Sequence, residues 1–212
     1  MIDLYFWPTS NNKKVTIMLH EVGLPYRLHL VNFIEGENYR DDFLALNPNA
    51  KTPTIVDDEG PGGKPITIFE SGAILLHLGA RSGALMPTDP CGRSEAVQWL
   101  FAALNSVEMA SMPWSLLAFT GEPKDAPASK FFEGFLKQHR LAHLEPVLAD
   151  REWLAGSFSV ADVVMADALR FVDRFDGLAD YPACRAYVAR ATARPAFIKA
   201  HADQIAHFAA AD

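Results

Sequence analysis

Cysteine is scarce in this chain. Its two cysteines, Cys91 and Cys184, stand far apart and outside any CxxC or metal-ligand spacing, which argues against a disulfide framework and against a zinc site. Basic residues are in deficit: 19 Lys and Arg face 26 Asp and Glu, for a formal net charge of −7. No Lys/Arg-rich run interrupts that balance, so the basic footprint of a nucleic-acid-binding protein is missing. A local basic pocket for a single anionic ligand is still compatible with it. No apolar run approaches the ~20 residues of a membrane span. The opening Met1-Ile2-Asp3-Leu4 has neither the charged nor the apolar region of a signal peptide, so the cytoplasm is the expected location. Half of the residues are apolar and 21% are charged, which are ordinary values for a folded globular chain.

The first 80 or so residues mix strand and helix signals. Ile2 to Trp7 is an aromatic and β-branched run ending at Pro8, the pattern of a strand. Val15, Met18, Leu19 and Val22 follow at helical spacing, with Gly23 where a C-terminal glycine belongs and Pro25 just beyond. Tyr26 to Val31 alternates as a second strand would. A short helix is expected over Asp41 to Leu46. Two strands, Thr54 to Val56 and Ile66 to Phe69, flank the turn-rich Asp57 to Gly63 and predict a wide-looped hairpin. Ser71 to Gly79 returns to helix. This order fits a small sheet with helices packed on it.

Residues 81–92 lapse into Gly, Pro, Ser and Thr and read as a linker. Everything beyond reads as helix: Glu95 to Leu117, Ser129 to Leu148, Ser159 to Phe175, Pro182 to Ala193 and Pro195 to Phe208. The expected organisation is α/β plus all-α, a sheet domain over 1–80 and an all-helical domain over 93–212. Ser159-Val160-Ala161-Asp162 has the form of a capping box, a folding feature with no histidine beside it to suggest catalysis. His139 and His143 share a helix face at i, i+4 but have no further metal ligand in sight. Cys184 sits in an alanine-rich helix and reads as buried and inert.

Three polar segments of the first domain are candidates to meet at one site. Pro8-Thr9-Ser10-Asn11-Asn12 lies at a strand-to-helix turn, where side-chain donors and free amides sit at a positive dipole end; the plainer reading is that Thr9 or Ser10 caps the helix. Lys51-Thr52-Pro53-Thr54 enters a strand through a proline. A cis bond, a minority outcome for X–Pro, would turn the Thr52 N–H and C=O outward for an extended peptide. Glu70-Ser71-Gly72 opens a helix, where Ser71 could cap it or meet a ligand carboxylate and Glu70 could pair with an ammonium.

Phe69-Glu70-Ser71-Gly72-Ala73-Ile74-Leu75, following Asn47-Pro48-Asn49-Ala50-Lys51-Thr52-Pro53, resembles the thioredoxin-like half of cytosolic glutathione transferases. The all-helical half and the Ser159 to Asp162 box are also similar to that family, so the likeness spans nearly the whole chain. It implies a thioredoxin-like N-terminal domain with a C-terminal helical glutathione-transferase domain, a cis Pro53, backbone pairing of Thr52 with glutathione, and Glu70 with Ser71 at the γ-glutamyl end. It also implies a homodimer and a second substrate held between the domains. Leu4-Tyr5-Phe6-Trp7-Pro8-Thr9-Ser10-Asn11 looks most like the bacterial nu-class proteins, with their threonine-x-asparagine motif. By that likeness Thr9 and Asn11 face the glutathione sulfur as the catalytic pair. Asn38 stands for a glutamine that contacts glutathione, and Lys51 approaches the glycyl carboxylate. The co-substrate implied is glutathione or glutathione disulfide, with a hydrophobic electrophile or a disulfide as its partner. No metal is implied.

Such a site has enough means to activate a thiol. A thiol with a pKa near ~8.5 is about 3% thiolate at pH 7, and lowering that pKa by about 2 needs roughly 2.7 kcal/mol of preference for the anion. One charge-assisted hydrogen bond supplies about 1.5–3 kcal/mol and a helix N-terminus about 0.3–1. Thr9 is favoured as the main donor with Asn11 assisting, and Tyr5, four residues earlier, is the rival. Where nu-class relatives that reduce disulfides bring in an arginine, this chain has Phe131 or Phe132, with Lys130 and Lys137 nearby. Met109, Met112, Trp114 and Phe119 are candidates to hold an apolar electrophile.

Overall fold

A computed structural model describes the backbone of residues 1–211 and the side chains of residues 1–206. Asp212, the last residue of the expected helical domain, lies outside the described residues. Contacts divide the chain into two units, Met1–Ala84 with Pro195–Asp212, and Leu85–Arg194.

In the first unit, strand β1 (Ile2–Phe6) buries Ile2, Leu4 and Phe6 and leaves Asp3 and Tyr5 half-buried on its other face, as period-two alternation dictates. Helix α1 (Ser10–Val22) ends at Gly23 in the left-handed region (φ 68°), where a side chain would be strained. Strand β2 (Tyr26–Leu30) runs parallel to β1. The short helix α2 (Asp41–Leu46) precedes strands β3 (Thr54–Asp57) and β4 (Ile66–Phe69), which form the expected antiparallel hairpin. The sheet order is β2-β1-β3-β4, with β1 antiparallel to β3. Helix α3 (Ser71–Ser82) packs on α1 and contributes Ile74, Leu75 and Leu78 to a core shared with Val15, Met18 and Leu19.

The second unit is helical, as its periodicity predicts. Helix α4 (Pro90–Ala102) continues through a π-helical turn (Ala103–Glu108) into α5 (Met109–Phe119). Helix α6 (Pro127–Leu136) continues through a second such turn (Lys137–Leu141) into α7 (Ala142–Asp150). Both turns end five residues ahead of a proline, Pro113 and Pro146. A proline ring collides with the carbonyl four residues back, and widening the preceding turn makes room for it. Helix α8 (Val160–Asp173) is the buried centre, and α9 (Pro182–Thr192) packs on it.

The irregular stretch expected over 81–92 is shorter in the structure, because α3 runs to Ser82 and α4 starts at Pro90. The start signal was present: Asp89 accepts from Gly92 N–H at 2.8 Å, with proline in the first helical position. Helix α10 (Pro195–Ala211), which sequence reading groups with the helical half, packs on α1 in the first unit. His20 Nε2 meets Asp203 Oδ2 at 3.1 Å in that contact.

The capping box of α8 is complete. The Asp162 carboxylate accepts from Ser159 N–H (2.9 Å), the Ser159 hydroxyl (3.0 Å), Leu154 N–H (3.0 Å) and the Tyr187 hydroxyl (2.8 Å). The Ser159 oxygen also accepts from Ala161 N–H at 3.3 Å.

Candidate functional site

Thr9 is at the N-cap of α1 with extended backbone (φ −122°, ψ 168°), yet its side chain makes no cap bond. Its oxygen instead accepts from Asn12 Nδ2 at 2.8 Å, and the same amide donates to Thr52 Oγ1 at 3.0 Å. Asn12 is wholly buried and its oxygen accepts from Trp7 N–H at 3.4 Å. One side chain thus ties the end of β1 and the start of α1 to the loop that enters β3. Asn11 is exposed, and its oxygen accepts from the ammonium of buried Lys14 at 2.7 Å.

The Thr52–Pro53 bond is cis. The loop leading to it is held from within. Asn47 Nδ2 donates to Lys51 O (2.7 Å) and Thr54 Oγ1 (3.2 Å), while its oxygen accepts from Asn49 N–H (3.0 Å). Asn38 Nδ2 donates to Ala50 O at 3.0 Å; Ala50 has a positive φ of 54°. At the start of α3, Glu70 occupies the N-cap with φ 70° and no side-chain cap bond. Ser71 is therefore the first helical residue rather than the cap, and its buried side chain makes no hydrogen bond among the described residues.

Asn11, Asn47, Lys51, Thr52, Pro53, Glu70 and Ser71 line one hollow of about 110 Å³. Two helix N-termini, those of α1 and α3, reach this hollow without side-chain caps, which turns their positive dipole ends toward an anion there. Lys51 adds a formal positive charge and Glu70 a negative one. A ligand carrying both carboxylate and ammonium groups, with an extended backbone to pair at Thr52, matches this arrangement.

Of the residues singled out in the sequence, Asn11, Lys51, Thr52, Pro53, Glu70 and Ser71 line the hollow, and Thr9 joins it through Asn12. Asn38 does not line it: the side chain is buried, Nδ2 donates to Ala50 O and the oxygen has no hydrogen-bond partner among the described residues, so it supports the loop behind the hollow. Tyr5 lies elsewhere, stacked on His29 with centroids 4.9 Å apart and lining a separate hollow with Arg40 and Phe43. Burial, followed by the charges of Asp3 and Asp42, pushes its hydroxyl pKa up, which keeps it a neutral donor; its place in the other hollow is what separates it from Asn11 and Ser71. Trp114 packs against Phe175, 6.4 Å between ring centroids, and lines a hollow of about 490 Å³ in the helical unit with Phe175, Lys137 and Arg174. Met109, Met112, Phe119 and Phe131 are exposed. Cys184 is buried, and burial together with Glu145 pushes its thiol pKa far up. Lys14 was not singled out as a site residue, while Asn12 and Asn47 appeared only within candidate segments, with no role assigned. Only the i, i+3 spacing of Asn11 and Lys14 gave a local signal.

Comparison with known proteins identifies the family. The glutathione S-transferase N-terminal domain model matches residues 10–81 and the C-terminal domain model matches residues 116–195. Disulfide-bond oxidoreductase YfcG of Escherichia coli K12 is 36% identical over 206 residues, covering 92% of this chain and 92% of that protein. A glutathione transferase of Pseudomonas putida, solved with one glutathione disulfide bound per subunit, superposes with a TM-score of 0.86 at 32% identity over 94% of this chain and 90% of that one. A glutathione transferase of Burkholderia graminis, with two glutathione molecules bound per subunit, gives 0.85 and 35% over 94% and 86%. The small sheet followed by a helical unit, matched over both domains, places this chain in the glutathione S-transferase family.

Proposed function

We propose that this chain is a nu-like, glutathione-dependent enzyme that activates the glutathione thiol in the hollow between the starts of α1 and α3. The observation that carries the reading is the convergence there of Asn11, the cis Thr52–Pro53 segment and Ser71. The γ-glutamyl end meets Glu70 and Ser71, the cysteinyl backbone pairs with Thr52, and the glycyl carboxylate faces Lys51. Thr9 and Asn11 donate to the sulfur.

The favoured reaction is disulfide reduction, supported by the likeness to YfcG and to a relative solved with glutathione disulfide. The glutathione thiolate attacks a substrate disulfide, forming a glutathionyl mixed disulfide and releasing one substrate thiolate. A second glutathione thiolate attacks the mixed disulfide, giving glutathione disulfide and the second substrate thiolate, which takes a proton. A peroxide acceptor is the related alternative. The second reading is transfer of the thiolate to an apolar electrophile, favoured by the exposed apolar side chains of Met109, Phe119 and Phe131. The third is glutathione binding without turnover, since fold alone does not set activity. The working unit is taken as a cytoplasmic homodimer, which sedimentation of the pure protein checks.

Calorimetric titration tests the reading. Binding of both glutathione and glutathione disulfide, with turnover of a mixed-disulfide substrate, supports reduction. Binding of reduced glutathione alone, with turnover of an aromatic halide, supports transfer. Binding of neither removes the proposal.

A further inference from the structure

We infer that two buried side chains, Lys14 and Asn12, act as positioning residues that make Asn11 and Thr9 present hydrogen-bond donors, rather than acceptors, to the glutathione sulfur. The inference rests on the reading of the Asn11–Ser71 hollow as the glutathione site.

An asparagine amide can offer its surroundings either an oxygen or two N–H groups. Beside a thiolate the first would repel and the second would stabilise. Asn11 lines the hollow and has no packing of its own to choose between them, because its side chain is exposed. Lys14 chooses. Its ammonium lies 2.7 Å from Asn11 Oδ1, and an ammonium only donates. The amide oxygen is therefore held toward α1 and the N–H groups are left for the hollow. Lys14 is 0% exposed, an environment in which lysine is rare unless its charge is answered, so the contact has a fixed direction.

The same logic applies to Thr9. Its oxygen accepts a hydrogen bond from Asn12 Nδ2 at 2.8 Å, so its own hydroxyl proton points away from Asn12. The Asn12 amide is itself prevented from flipping: its oxygen accepts from Trp7 N–H and its nitrogen also serves Thr52 Oγ1. Asn12 is not among the residues lining the hollow, and neither is Lys14.

The test follows the thiolate absorbance of bound glutathione against pH, alongside calorimetry with S-methylglutathione, which has no thiol to ionise. Lys14→Met should raise the bound-thiol pKa by about one, roughly tenfold less thiolate at low pH, while S-methylglutathione affinity stays within about twofold. Lys14→Gln, which keeps a donor toward Asn11 without the charge, should recover at least half of that rise. Asn12→Asp, nearly isosteric but accepting only, should draw the Thr9 proton inward and raise the pKa too; it also carries the test if Lys14→Met does not fold. An unchanged pKa in Lys14→Met and Asn12→Asp with S-methylglutathione still bound overturns the inference alone. So does Lys14→Gln no better than Lys14→Met, which would assign the effect to charge. Failure of the unaltered protein to bind S-methylglutathione or glutathione overturns the site reading and this inference with it.

Discussion

Helix α8 begins with its N-terminal polar groups answered: Ser159 and Asp162 close a capping box, and Asp162 also holds Leu154 and Tyr187. Its neighbour α9 is served at a distance, where the Glu145 carboxylate accepts from Ala183 N–H at 2.7 Å and Cys184 N–H at 3.0 Å. Helices α1 and α3 begin differently. Thr9 has the right residue type and the right backbone for a cap but turns its oxygen to Asn12, and Glu70 sits in a strained left-handed conformation with no cap bond. Helix α6, starting from Ala126 without a side-chain cap, shows that the division is not absolute, although Pro127 in its first position removes one amide from need. The lesson is that the helix starts of the core, α8 and α9, are completed by the chain itself, whereas those of α1 and α3 are left without side-chain caps at the hollow. Of the three starts in the sheet unit without a side-chain cap, α1, α2 and α3, those of α1 and α3 border the same hollow.

Substitutions can break this contrast. The largest effect is expected at Asp162→Ala, which strands four buried donors and should cost about 3–4 kcal/mol in urea unfolding. Ser159→Ala, removing half of the box, should cost about 1 kcal/mol. Glu70→Gly should move the other way, gaining up to about 1 kcal/mol by relieving the positive φ, while glutathione affinity falls in calorimetry. Thr9→Ala is the smallest and the most telling. It loses no cap bond, and the Asn12 amide keeps Thr52 Oγ1 as an acceptor, so its unfolding free energy should stay within about 1 kcal/mol of the unaltered protein, yet the bound-thiol pKa should rise. A full cap-sized loss at Thr9 would erase the distinction between the two kinds of helix start.

What the sequence disclosed follows the range of each interaction. The α8 box was legible because donor and acceptor are three residues apart, and the β3–β4 hairpin because its turn formers are contiguous. The Gly23 helix stop was legible for the same reason. The Asn12–Thr52 bond joins residues 40 apart, so nothing local distinguished Asn12 from the more exposed Asn11 beside it. Asn38 carried the right chemistry but was drawn inward by the Ala50 carbonyl, a loop contact that residue type does not reveal. The π-helical turns escaped because apolar spacing averages over one extra residue, although Pro113 and Pro146 marked their positions. The location of α10 was unreadable in principle: its periodicity announces a helix and is silent about which surface it will cover.

That location orders events during synthesis. The sheet unit is discontinuous in the chain, with the whole of residues 85–194 inserted before its last helix. The strands and α1 leave the ribosome early, but the surface of α1 that α10 covers stays bare until more than a hundred further residues have been made. The helix that carries Asn11, Asn12 and Lys14 therefore acquires the covering of α10 only after residues 85–194 have been made, so the sheet unit closes behind the helical unit although its strands precede it in the chain.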